Sequence, residues 1–202
     1  MQRIQIDPEH PDPRLIRRAV EAIRRGAVVL YPTDTVYGLG CDFTQKKAVD
    51  RVYALKRMRE DRELAFICPD LGDLARYAIV DDQTYRLMRR LTPGPYCFIL
   101  PATREAPKIL HLAKKRKEVG IRIPHHEVPL ALVRELGNPI VSTTASWDGE
   151  PLNDPNDIAQ YYHGADLFLD AGWGGLEPST VLDLTSGEVV VRRTGAGPVD
   201  IL

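Results

Sequence analysis

Apolar residues follow Asp12-Pro13 at helical spacing, as Leu15, Ile16, Ala19, Val20 and Ile23, with Gly26 just beyond them. An acidic cap, a proline at the first helical position and a glycine stop predict an amphipathic helix over this stretch. The next run, Ala27-Val28-Val29-Leu30-Tyr31, has no helical period and reads as a buried strand. Helical spacing returns at Ala48, Val49, Val52, Tyr53 and Leu55, and 64–68 ("LAFIC") is a second strand. Asp70 and Asp81 each precede a helical pattern and predict acidic caps for two more helices, after which "TPGPY" breaks the chain before the strand "CFILPAT".

The alternation continues to the C-terminus. A short helix with a basic tail is expected over 105–117, then the strand "VGIRIP", the helix "PLALVREL" stopped by Gly137, and the strand "PIVST". Asp154-Pro155 opens a helix ending near Tyr162, and "ADLFLD" is a strand. "STVLDL" and "EVVVRR", joined through Ser186-Gly187, form a hairpin. Alternation implies parallel crossovers and the hairpin forces an antiparallel pair, so the expected class is α/β with a mixed sheet. Residues 1–12 read as an N-terminal strand or lead-in, and 13–202 as one domain.

At 202 residues the chain is long enough for one domain to bury its core without staples. Lys plus Arg (27) nearly balance Asp plus Glu (28), so overall charge makes no case for nucleic acid or a membrane, and any basic surface must be local. Cys41, Cys68 and Cys97 lack the spacing of a zinc knuckle or redox pair and read as free thiols in a reducing compartment. The N-terminus has no signal-like apolar core and no apolar run approaches the ~20 residues that span a bilayer. A cytoplasmic protein is expected.

In an open α/β sheet, ligands bind outside strand ends, where loops carry polar groups. Four stretches fit: Thr33-Asp34-Thr35 after the first buried strand, "KRMREDR" from Lys56 to Arg62, "STTAS" from Ser142 to Ser146, and Ser179-Thr180 opening a strand. Singly, such residues cap helices, make turns or complement a helix dipole. Together, hydroxyl loops and cationic side chains are what a phosphate ligand requires.

"YPTDTVYGLGCD", Leu55-Lys56 before a basic stretch, "VGIRIP", "VSTTAS", "PSTVLDLT" and "VRRTGAG" occur here in the order found in the YrdC/YciO superfamily. The chain resembles this threonylcarbamoyl-AMP synthase family from about residue 13 to its end. The resemblance implies an open twisted α/β fold enclosing a large, polar, positively charged cavity. It also implies a nucleotidyltransferase that joins L-threonine, bicarbonate and ATP into threonylcarbamoyl-AMP, releasing pyrophosphate, for the t6A modification of tRNA. Mg²⁺ carried by ATP is the implied cofactor, and double-stranded RNA binding is attributed to the family.

Through the resemblance, Thr33 and Thr35 line the threonine and carbamate end, while Lys56 meets the triphosphate; Lys56 and Thr35 are the catalytic contacts. Arg57, Arg59 and Arg62 supply further charge beside Lys56. Ser142, Thr144, Ser146 and Ser179 bind phosphate or nucleotide oxygens of ATP or AMP, and Arg122 and Arg193 add cationic contacts. Two positions depart from the synthase pattern: Met58 stands where that pattern has a base, and Ser146 where it has asparagine. These departures place the chain nearer the YciO-like branch, for which nucleotide or double-stranded RNA binding with little turnover is the alternative.

Three other features carry weaker chemistry. "KKRK" at 114–117 is the longest basic run and could meet an RNA backbone, although a solvated turn explains it equally. His125 and His126, adjacent in an extended segment, point to opposite faces and do not share a metal. Trp147 and Trp173 are expected to plug their loops against the core.

Overall fold

A computed structural model describes residues 1–57, 64–72, 74–104, 106 and 118–201. Met58, Arg59, Arg62, the run 114–117 and almost all of the helix expected over 105–117 lie outside the described residues.

Ten strands form one mixed sheet: β1 (Gln2–Gln5), β2 (Val29–Tyr31), β3 (Gly38–Asp42), β4 (Ala65–Ile67), β5 (Tyr96–Pro101), β6 (Glu118–Arg122), β7 (Ile140–Thr144), β10 (Leu167–Asp170), β11 (Thr180–Asp183) and β12 (Val190–Arg193). Their spatial order is β1-β10-β2-β3-β7-β4-β6-β5-β11-β12. A separate small hairpin joins β8 (Ser146–Trp147) and β9 (Glu150–Pro151). The helices are α1 (Pro13–Arg24), α2 (Lys46–Leu55), α3 (Leu74–Tyr77), α4 (Asp82–Leu91), α5 (Glu127–Leu136) and α6 (Pro155–Tyr161). The expected parallel pairs appear at β1/β10, β10/β2, β4/β6 and β5/β11. The terminal hairpin β11/β12 is antiparallel, as its turn requires.

Local chemistry explains most element ends. Asp12 accepts from the Arg14 N–H at the start of α1, Asp81 from Thr84 at α4, and Asp154 from Asn156 at α6. Gly137 closes α5 at φ 81°, a conformation only glycine adopts freely. Asp70 does not open a long helix: its carboxylate accepts from the Gly72 N–H in a turn, and α3 is a single short segment beyond it. "GLGCD", read with the opening turn, is instead the strand β3.

The helices divide between the two sheet faces. On one face α2, α3, α4 and α6 pack against Leu30, Leu39, Phe66, Phe98, Ile121, Val141 and Phe168. On the other, Ile16, Val20 and Ile23 of α1 meet Val128, Leu132 and Val133 of α5 over Val29, Tyr31, Ile140 and Leu167. Each such buried aliphatic stabilises the fold by about 1.5–3 kcal/mol. This second cluster covers only part of its face, and a cavity occupies the remainder.

Candidate active site

The register of five strands builds the cavity floor. Gly38 lies opposite Thr144, Ser142 opposite both Gly40 and Ala65, Ala65 opposite Gly120, and Gly120 opposite Ile99. Same-face neighbours across the middle of the sheet are therefore glycine, alanine and serine, which leave room above the strands where larger side chains would fill it. The resulting cavity holds about 140 Å³ and is walled by Thr33, Val36, Tyr37, Leu64, Arg122, Ser179 and Arg193.

Arg122, the last residue of β6, organises one wall. Its Nη2 donates to Asp34 Oδ1 at 2.5 Å, Thr35 Oγ1 at 2.8 Å and Thr33 Oγ1 at 3.3 Å. The Arg122 and Asp34 side chains are only 10% and 11% exposed, so this ion pair is largely withdrawn from water. Asp34 Oδ2 also accepts from the His125 N–H. Thr33 donates to the Val36 carbonyl at 2.6 Å and accepts from the Thr35 N–H, which closes the turn after β2. Thr33 lines the cavity, whereas Thr35 is buried beneath it at 4% exposure. The Arg122 Nε is buried without a hydrogen-bond partner among the described residues, a donor that an acceptor oxygen would satisfy.

Ser142 and Thr144 face the cavity from β7, and Ser179 from the loop before β11. Arg193 is positioned by the Ser179 carbonyl, to which its Nε and Nη2 donate at 3.1 and 2.8 Å. The backbone here is tightly laid: a Cβ at Gly195 would stand 2.1 Å from the Pro178 carbonyl oxygen.

Lys56, Arg57 and Ser146 form a cluster just past Thr144. Lys56 follows α2, and its Nζ donates to the Ser146 carbonyl at 3.0 Å and to the Ser146 hydroxyl. Burial lowers the Lys56 pKa to about 8. Arg57, at φ 52°, carries its guanidinium 4.1 Å from the Trp147 ring centroid, and Trp147 also packs against Tyr161 with the rings tilted by 30°. Thus Thr33, Arg122, Ser142, Thr144, Ser179 and Arg193 share one cavity, Thr35 supports its wall, and Lys56, Arg57 and Ser146 stand beside it.

Two residues near the site, Trp173 and His126, carry different roles from those read in the sequence, while Cys97 is the free thiol expected. Trp173 does not plug its loop: it is 73% exposed, because Gly174 and Gly175 take the packing positions against the Tyr37 ring and the Thr35 carbonyl. His126 caps α5 through Nδ1, with its pKa lowered by burial. Cys97, one of three cysteines outside any disulfide, is half-buried on the cavity floor. Asp34 was legible as part of a polar loop but not as an ion-pair partner, since nothing in local sequence pairs it with an arginine 88 positions away.

The fold and site define a mixed α/β domain with a cavity lined by hydroxyl and arginine side chains. Residues 21–195 match the Sua5/YciO/YrdC family, described by the words "Telomere recombination", and the chain belongs to that family. YciO of Escherichia coli (strain K12) is 40% identical over 197 residues, covering 96% of this chain and 95% of that one. The crystal structure of E. coli YciO superposes with a TM-score of 0.93, covering 98% and 97% of the two chains. A threonylcarbamoyl-AMP synthase of Pseudoalteromonas translucida (strain TAC 125) is 31% identical over 186 residues, 88% of this chain and 97% of that one. P. abyssi Sua5 complexed with L-threonine superposes with a TM-score of 0.91 at 29% identity, covering all of this chain and 59% of that one.

Proposed function

We propose that this protein is a nucleotidyltransferase of the threonylcarbamoyl-AMP synthase type, acting in the cytoplasm on the route to tRNA t6A. The observation that carries the reading is the convergence of Thr33, Arg122, Ser142, Thr144, Ser179 and Arg193 on one cavity with Lys56 beside it. Relatives named as synthases and a threonine-bound Sua5 support the same chemistry. In this reading the amine of L-threonine takes up carbon dioxide from bicarbonate, a carbamate oxygen attacks the α-phosphorus of ATP, and pyrophosphate leaves. The protein's part is positioning and charge stabilisation, with the Thr33 wall and Arg122 toward the carboxylate and carbamate and Lys56 toward the phosphates.

Among the described residues no group of three or more His, Cys, Asp or Glu is placed to hold a metal ion. Mg²⁺ is therefore proposed to enter on the triphosphate, bound by phosphate oxygens and water. Among the described residues no helix is long and apolar enough to cross a membrane.

The direct test is pyrophosphate release from ATP by the purified protein. It should require both L-threonine and bicarbonate, and nucleotide binding without such release would overturn the synthase reading. A second reading, a YciO-like module that binds nucleotide or duplex RNA with little turnover, is favoured by one feature. Lys56 is already held by Ser146, and Arg57 by Trp147. This reading predicts RNA binding that weakens with salt, and it is lost if no duplex or tRNA binds at low ionic strength.

Two further results are expected. Affinity for ATP should fall as pH rises through about 8, because Lys56 is cationic below that value and neutral above it. Calorimetric titrations from about two pH units below that value to two above it measure this, and a flat profile removes Lys56 from the phosphate contact. Gly120→Val should preserve the fold, since the nearest atoms to a Cβ there, Ala65 Cβ at 3.4 Å, Ala65 Cα at 3.5 Å and Cys97 Sγ at 3.6 Å, stand at ordinary contact distance. Its methyl groups would stand in the cavity, weakening L-threonine or nucleotide binding by at least about tenfold while circular dichroism is unchanged.

A further inference from the structure

Tyr31 ends β2 and is fully buried, yet its hydroxyl reaches a residue two strands away. Its ring crosses β3 at the two glycines of "YGLG". A Cβ at Gly38 would lie 2.9 Å from the ring Cζ, and one at Gly40 would lie 3.3 Å from Cε1. A side chain at Gly38 would displace the ring, and one at Gly40 would crowd it while also meeting the Val141 carbonyl oxygen at 2.6 Å. Beyond β3 the Tyr31 hydroxyl donates to Ser142 Oγ at 2.5 Å, on the cavity floor.

Proton accounting gives this contact a direction. A serine hydroxyl has one hydrogen and two lone pairs. Tyr31 spends its hydrogen on one Ser142 lone pair, so the hydrogen Ser142 has to offer is its own. That hydrogen has only a long contact within the described residues, to the Leu39 carbonyl at 3.4 Å. Burial pushes the Tyr31 phenol well above its ordinary pKa, so it stays a donor across the working pH range.

We infer that Tyr31 is a positioning residue that commits Ser142 to donate its hydrogen to an oxyanion in the cavity, a carboxylate, carbamate or phosphate oxygen. The two glycines of β3 let the phenol through. The inference rests on the proposed function for the presence of such a ligand, and it adds the polarity of one contact within that site.

The test compares Tyr31→Phe, Ser142→Ala and the double variant by calorimetric titration with L-threonine and, separately, AMP. Phenylalanine keeps the ring between the glycines, and circular dichroism checks that the fold is retained. Tyr31→Phe is expected to weaken one of the two ligands by about tenfold, the same one that Ser142→Ala weakens. The other ligand's affinity should be unmoved, and the double variant should be no worse than Ser142→Ala alone. A merely structural role would instead depress both ligands together and add to the Ser142→Ala effect. That pattern, or wild-type affinities in Tyr31→Phe, overturns the inference while leaving the functional reading standing. If the wild-type protein binds neither ligand, the functional reading fails first, and the inference falls with it because Ser142 has no oxyanion to address.

Discussion

Replacing Arg122 by leucine is expected to destabilise the protein by about 3–5 kcal/mol, the range for removing one partner of a buried ion pair. The reason is what the change strands. Asp34, 11% exposed, would keep only the His125 N–H as a donor, and the Thr33 and Thr35 hydroxyls would each lose the guanidinium, Thr33 retaining the Thr35 N–H. Urea unfolding measures the loss. Asp34→Asn combined with Arg122→Leu should recover part of it, since no charge is then left buried without its partner. Arg122→Lys should fall between, because it keeps a positive charge for Asp34 but not the rigid planar guanidinium that sets Nη2 among Asp34, Thr35 and Thr33. An Arg122→Leu variant as stable as the parent would show that the Asp34 wall is held by something else.

Lys56→Ala should separate chemistry from folding. Helix α2 is anchored by Ala48, Val49, Val52 and Tyr53, while the Lys56 ammonium contacts only the Ser146 carbonyl and hydroxyl among the described residues. Its loss is expected to change stability by about 1 kcal/mol or less. If Lys56 faces the phosphates as proposed, its removal should lower kcat/KM for pyrophosphate release by at least about a hundredfold. A thermal melt and a turnover assay on the same preparation check both halves. Unchanged turnover rejects the role of Lys56. Lys56→Arg tests whether charge alone suffices or whether a compact ammonium is needed.

The elements that were legible in the sequence are those whose signals are local. Helix α1 carries its cap, its proline and its apolar stripe within one short stretch, and α5 ends on a glycine that only a left-handed turn explains. The β11/β12 hairpin has its turn between its strands. Strand β3 was not legible, because two glycines in five residues argue against a strand until the ring that crosses them is seen. Asp70 failed as a helix start because its carboxylate closed a two-residue turn first. Trp173 was misread because the packing positions of its loop belong to the glycines beside it.

By itself, then, the sequence determined the α/β class, the mixed sheet, the order of the motifs and which residue types could meet an oxyanion, since each depends on neighbours along the chain. Only the tertiary structure decided what those residues do. It brought Gly38, Ala65 and Gly120 from separate strands into one floor, turned Arg122 onto Asp34, set Thr35 beneath the wall and gave Ser142 a donor in Tyr31. Cross-strand register and burial create these contacts, and neither is a property of any local stretch of chain.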